Sequence, residues 1–95
     1  MDLQFEWDEQ KATLNFQKHG ITFEEAKIVF IDSLAYIFDA QWHSGREQRE
    51  IIIGHDDKNR LILVCFTERN GIIRIINARL ATKKERKDYE EYTQS

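Results

Sequence analysis

Between Arg74 and Lys87 this sequence gathers the side chains best suited to holding an anion. Arg74 and Arg79 interrupt a largely apolar run, and Lys83, Lys84, Arg86 and Lys87 open the segment that follows. A guanidinium offers its N–H groups as a planar fork that fits two phosphate oxygens, and it stays charged at any useful pH. A charged side chain inside an apolar strand calls for a reason, so Arg79 and Arg74 are the leading candidates for gripping phosphate. The competing explanation for Arg79 is a structural ion pair with an acidic helix residue. Lysines in the first turn of a helix oppose its dipole, an arrangement expected where an anion is to be received.

The rest of the chain sharpens this reading. Residues 58 to 88 carry nine Lys/Arg against three Asp/Glu, a net of +6, whereas residues 1 to 57 carry five against twelve, a net of −7. The formal charge of −3 therefore conceals a divided molecule whose basic part reads as a phosphate or nucleic-acid surface. Ninety-five residues with 41% hydrophobic content suit a single domain, 1–95, with one aromatic-rich core. No apolar stretch reaches the roughly 18 to 20 residues of a membrane span, and no secretory signal opens the chain, so a cytoplasmic protein is expected. Cys65, the single cysteine, lies in Leu61-Ile62-Leu63-Val64-Cys65-Phe66 and is expected to be buried.

The elements that must position the cations follow from periodicity and punctuation. Leu3 to Trp7 alternates as a first strand, and Asp8 caps a helix that should stop at Gly20. Thr22-Phe23-Glu24-Glu25 is a capping box opening a second helix, whose apolar face is Phe23, Ala26, Val29 and Phe30. Leu34 to Asp39, Glu50 to Gly54 and Leu61 to Thr67 read as strands, the last as a central strand covered on both faces. A polar loop is expected from Gln41 to Arg46. Asn70-Gly71 marks a hairpin. As a two-residue turn it would pair Thr67 with Arg74, Cys65 with Ile76 and Ile62 with Arg79, leaving the two arginines on opposite sheet faces. A bulge near Asn77 would bring them together, and the sequence does not decide. Thr82-Lys83-Lys84-Glu85 caps a last helix with only Tyr89 and Tyr92 for an apolar grip. The class is α+β: order β-α-α-β-β-β-β-α, with a mostly antiparallel sheet packed by two N-terminal helices and a C-terminal helix.

Many short elements in register resemble one family. Phe5-Glu6-Trp7-Asp8 with Lys11 and Asn15, Lys18-His19-Gly20, Phe23-Glu24-Glu25-Ala26, Val29-Phe30 and Asp32 begin the match. His43-Ser44 with Glu47 and Arg49, Ile53-Gly54, Phe66-Thr67-Glu68-Arg69, Arg74-Ile75-Ile76, Ala78-Arg79, Ala81, Glu85-Arg86 and Tyr89-Glu90 complete it. The chain resembles the BrnT toxins of bacterial type II toxin-antitoxin pairs. It departs from them at Asn77, where serine is expected. The resemblance implies a RelE-like fold and RNA cleavage without a metal or other cofactor. It also implies a hetero-oligomer with a BrnA-like antitoxin, itself a ribbon-helix-helix DNA-binding protein.

Cleavage of that kind has the ribose 2′-hydroxyl attack the neighbouring phosphorus, which needs cations on phosphate, a proton acceptor and a proton donor. Arg79 and Arg74 suit the first role. His43, in a loop, and Glu68 are candidates for moving protons, with His19 more simply a cation at a helix end and His55 incidental. Positions 19, 43 and 55 have no metal-ligand spacing. Arg49, Lys83 and Arg86 are candidates for RNA contact, although a solvated helix face explains Lys83 and Arg86 equally well. Trp42 could stack a base or fold over the core. Tyr89 joins these candidates, as a phenol useful to catalysis only if cations lower its pKa. The alternative function is a non-catalytic nucleic-acid-binding or protein-interaction module using the same basic face.

Overall fold

The computed structural model describes residues 3–39 and 49–94. Asp8 starts helix α1 (Glu9–His19) by accepting hydrogen bonds from the N–H groups of Gln10 and Lys11 at 2.8 and 3.3 Å. Gly20 ends it at φ +72°, a left-handed conformation that a Cβ would penalise. Helix α2 (Phe23–Val29) opens with the expected box: Glu25 N donates to Thr22 Oγ1 at 3.0 Å and Thr22 N to Glu25 Oε1 at 2.9 Å. Phe23, Ala26 and Val29 are its buried side chains, as their helical spacing predicts.

Five strands, β1 (Gln4–Glu6), β2 (Tyr36–Asp39), β3 (Glu50–His55), β4 (Leu61–Arg69) and β5 (Ile72–Leu80), form one sheet in the order β1-β5-β4-β3-β2. Every neighbouring pair is antiparallel except β1 with β5. With helix α3 (Lys83–Gln94) this is the expected α+β class and element order. The strand ends differ from the sequence reading where side chains capture the backbone. Asp32 accepts from Leu34 N at 3.0 Å and from His55 N at 2.7 Å, so the chain turns there and β2 begins at Tyr36. His55 is therefore part of the architecture and joins β3 rather than the turn. The loop expected from Gln41 to Arg46 lies outside the described residues.

The hairpin turn is built as its two residues demand, with Asn70 at φ +54° and Gly71 at φ +81°. Thr67 pairs with Arg74 as expected, but the register shifts between Cys65 and Phe66, so Cys65 faces Asn77 and Leu63 faces Arg79. Ile76 is the extra residue. The pairings expected for Cys65 and Ile62 are thus each displaced by one, and the bulge that the sequence left open is present.

Helices α1 and α2 cover one face of the sheet. Ile52, Ile62, Val64, Phe66, Ile75 and Ala78 meet Phe23, Ala26 and Val29 there in the main core. Helix α3 lies against the other face, where Tyr89 is buried with Ile53 and Leu61. The Tyr36 ring sits 4.1 Å from that of Tyr92 and 6.0 Å from that of Tyr89. One fully buried aromatic contributes about 1.5 to 3 kcal/mol, so α3 is held more lightly than α2. Among the described residues no helix is long and apolar enough to cross a membrane.

Candidate functional site

The bulge decides where the cations point. Strand alternation with the observed register puts Arg74, Asn77 and Arg79 on the same face of β5, away from α1 and α2 and beside Thr67, Cys65 and Leu63 of β4. Thr67 and Leu63, the partners of the two arginines, lie four steps apart along β4, so the two Cα atoms stand about 13 Å apart. That span suits neighbouring phosphates of one strand better than a single phosphate. Arg49 immediately precedes β3, and alternation continued from Ile51 brings it to the same face, across β4 from Arg74.

Each arginine has a carboxylate of its own, and the two pairs differ in kind. Arg74 Nη1 donates to Glu6 Oε2 at 3.1 Å, with 42% and 50% of the two side chains exposed. An exposed single contact of this sort contributes about 0 to 1 kcal/mol, so phosphate competes with Glu6 readily. Arg79 forms a full fork: Nη1 donates to Glu85 Oε1 at 2.8 Å and Nη2 to Glu85 Oε2 at 2.9 Å. Glu85 Oε1 also accepts from Thr82 N at 2.8 Å, and Glu85 N donates to Thr82 Oγ1 at 3.1 Å, which is the capping box of α3. The Arg79 hydrogen bonds, more than any other cause, pull the Glu85 carboxyl down to about 2, and Glu85 in return raises the Arg79 guanidinium. The acidic helix partner weighed for Arg79 is real, and it is Glu85.

The other candidates separate cleanly. Glu68 pairs with Ile73 on the face that carries α1 and α2, so it does not join the arginines. Tyr89 is only 3% exposed beneath α3, with its hydroxyl 3.5 Å from His55 Nδ1. Burial raises its phenol, aided by the charge of Asp32, the reverse of what a proton-transferring tyrosine needs. It is a packing residue in this conformation. Lys83 and Arg86 are exposed on α3, and Arg86 flanks the inward stripe of Glu85 and Tyr89. His43 and Trp42 lie outside the described residues. His19 is the last residue of α1, in the turn that ends at Gly20.

Sequence reasoning missed three partners. Glu85 was legible as a cap three residues beyond Thr82, but its reach to Arg79 depends on how α3 meets the sheet. Glu6 becomes a partner of Arg74 only because β1 joins β5 in parallel. Asn15, 6% exposed, spans from α1 to the backbone of Ala78, and nothing local in the sequence announces that.

The class of protein follows from the fold first. A crystal structure of the Brucella abortus ribonuclease toxin, BrnT, superimposes with a TM-score of 0.66, at 24% identity over 86% of this chain and 100% of that one. That likeness establishes the architecture. No curated protein matches the chain at a significant level. A family model described as "Ribonuclease toxin, BrnT, of type II toxin-antitoxin system" matches residues 7–85. The chain belongs to this family of ribonuclease toxins.

Proposed function

We propose that the protein is a metal-independent endoribonuclease that cleaves RNA by attack of a 2′-hydroxyl on the adjacent phosphate. The observation that carries this reading is the placement of Arg74, Asn77 and Arg79 on one sheet face, a placement that exists because Ile76 is bulged. Arg79 is the stronger candidate for stabilising charge that develops on phosphorus oxygens, because a half-buried guanidinium acts in a lower dielectric than an exposed one. Arg74 takes a neighbouring phosphate, and Arg49, Lys83 and Arg86 extend the basic track. Asn77 offers an amide donor between the arginines. His43 is the histidine whose chemistry suits proton transfer, and Trp42 is suited to stacking a base; both assignments rest on residue type.

The antitoxin partner is, on this reading, a BrnA-like ribbon-helix-helix protein that forms a hetero-oligomer with the toxin and covers the basic face. An acidic or amphipathic segment would be drawn to that face and would block it by occupancy. The toxin acts in the cytoplasm, where RNA and partner meet.

The test is incubation of purified protein with a defined RNA in excess chelator, followed by analysis of product ends. Fragments ending in 2′,3′-cyclic phosphate and beginning with 5′-hydroxyl are expected. Intact RNA at micromolar folded protein would overturn the proposal. A second reading is favoured by the Arg79 fork itself: with Arg79 held by Glu85, the face acts as a binding surface only. Both readings give RNA affinity that drops steeply with salt, so the product ends, not binding, separate them.

A further inference from the structure

We propose that Glu85 is the general base of the reaction, held inactive by Arg79 and released when a phosphate displaces it. The inference rests on the ribonuclease reading above. Its starting point is the asymmetry of the Glu85 carboxylate. Oε1 is held twice, by Thr82 N at 2.8 Å and by Arg79 Nη1 at 2.8 Å. Among the described residues, Oε2 has Arg79 Nη2, at 2.9 Å, as its hydrogen-bond donor. Displacing Arg79 therefore frees Oε2 completely, yet leaves Oε1 anchored to the first turn of α3.

A phosphodiester presents two non-bridging oxygens in the geometry that a carboxylate presents, so both compete for one guanidinium fork. An RNA strand that reaches Arg79 takes over Nη1 and Nη2. Glu85, 29% exposed on its side chain, is then left beside the captured phosphate without the cation that suppressed its basicity. The nearest ribose 2′-hydroxyl is on C2′, adjacent to the C3′ that bears that phosphate's 3′ oxygen. The base is thus created where the nucleophile sits, and only when substrate is bound.

The step balances as follows. Glu85 Oε2 takes the proton of the 2′-hydroxyl while the 2′ oxygen forms its bond to phosphorus. The bond from phosphorus to the 5′ oxygen breaks, and its electron pair leaves with that oxygen, which takes a proton from water. The products are a 2′,3′-cyclic phosphate and a 5′-hydroxyl, and Glu85 returns its proton to solvent.

The other carboxylates fit less well. Glu68 points to the opposite face. Glu6, 50% exposed, has among the described residues its exposed contact with Arg74 and no second hydrogen bond to keep it in place once phosphate arrives.

The test compares wild type, Glu85→Gln and Glu6→Gln in single-turnover cleavage of one RNA in chelator, with RNA affinity and the acid side of the pH profile measured for each. Glutamine at the third helical position can still complete a capping box, so the fold should be retained. Glu85→Gln should cleave about 100-fold to 10,000-fold more slowly, bind RNA as tightly as wild type or more so, and lose the acid limb of the profile. Glu6→Gln should stay within about threefold of wild type. Cleavage by Glu85→Gln within about threefold of wild type would overturn the proposal. So would a wild-type rate that stays level as pH falls through the ordinary carboxylate range, a result that needs no variant. If wild type itself yields no cyclic phosphate, the ribonuclease reading fails first and this proposal with it.

Discussion

The side-chain amide of Asn15 serves both backbone groups of Ala78. Its Nδ2 donates to Ala78 O at 2.9 Å, while Ala78 N donates to its Oδ1 at 3.0 Å. It takes the place of the strand that β5 lacks there, because β1 pairs with β5 only as far as Arg74. The same Nδ2 donates to Ile21 O at 3.1 Å, tying the connection between α1 and α2 to the sheet. Asn15→Ala should leave these groups buried and unpaired, lowering stability by about 2 to 4 kcal/mol in urea titration. A loss under about 1 kcal/mol would mean that water replaces the amide.

Arg79→Ala should reduce RNA cleavage about 100-fold to 1,000-fold, the usual consequence of losing one donor to transition-state charge. Arg74→Ala, on a more exposed and singly paired side chain, should cost less in rate and more in salt-sensitive affinity. Cleavage rate and filter-binding affinity measured on the same RNA distinguish the two effects. An Arg79→Ala protein with full cleavage removes Arg79 from the site.

Acid should loosen the molecule through two carboxylates. Glu85, held at about 2 chiefly by hydrogen bonds from Arg79, and Glu25, held at about 2 chiefly by Lys58, both lie below their ordinary value of 4.5. A depressed folded-state pKa means the unfolded chain takes up protons first as pH falls. Both contributions are therefore complete above about pH 4.5 and lost as pH approaches 2. Thermal melts over that window should show the decline, flattened in Glu25→Gln and Glu85→Gln; equal slopes in wild type and both variants would contradict it.

Gly54 is a site where size alone matters. A Cβ there would stand 2.7 Å from the Ala35 Cβ and 3.0 Å from Asp32 Oδ2, the oxygen that holds His55 N. Gly54→Ala should destabilise by about 1 to 3 kcal/mol through overpacking, read as a drop in the denaturation midpoint. A neutral result would show that the α2 to β2 connection can move aside.

Local chemistry made much of the fold legible. Asp8, Gly20, the Thr22 and Glu25 pair and Asn70-Gly71 each carry their signal within four residues, and each does what that signal says. The candidate site was legible in composition and not in geometry. Whether Arg74 and Arg79 share a face depends on one unpaired residue, and the backbone cost of a bulge near Ile76 leaves no mark in side-chain types. Tyr89 illustrates the reverse difficulty. A tyrosine near lysines and arginines is chemically plausible as an RNA contact, and only the docking of α3 on Ile53 and Leu61 assigns it to packing. Glu68, a candidate by residue type, shows the same blindness to sides, since neighbours in sequence such as Thr67 and Glu68 belong to opposite surfaces.

The odd residue in β5 has an implication for how much this chain can vary. Because parity alone chooses the surface, a strand of this length paired without the bulge would turn Arg79 under α1 and α2 and send Ala78 outward, without altering a single charge. Chain length across that interval and the bulge are therefore linked, and relatives with one residue fewer at Ile76 should pair regularly there and still carry both arginines on one surface.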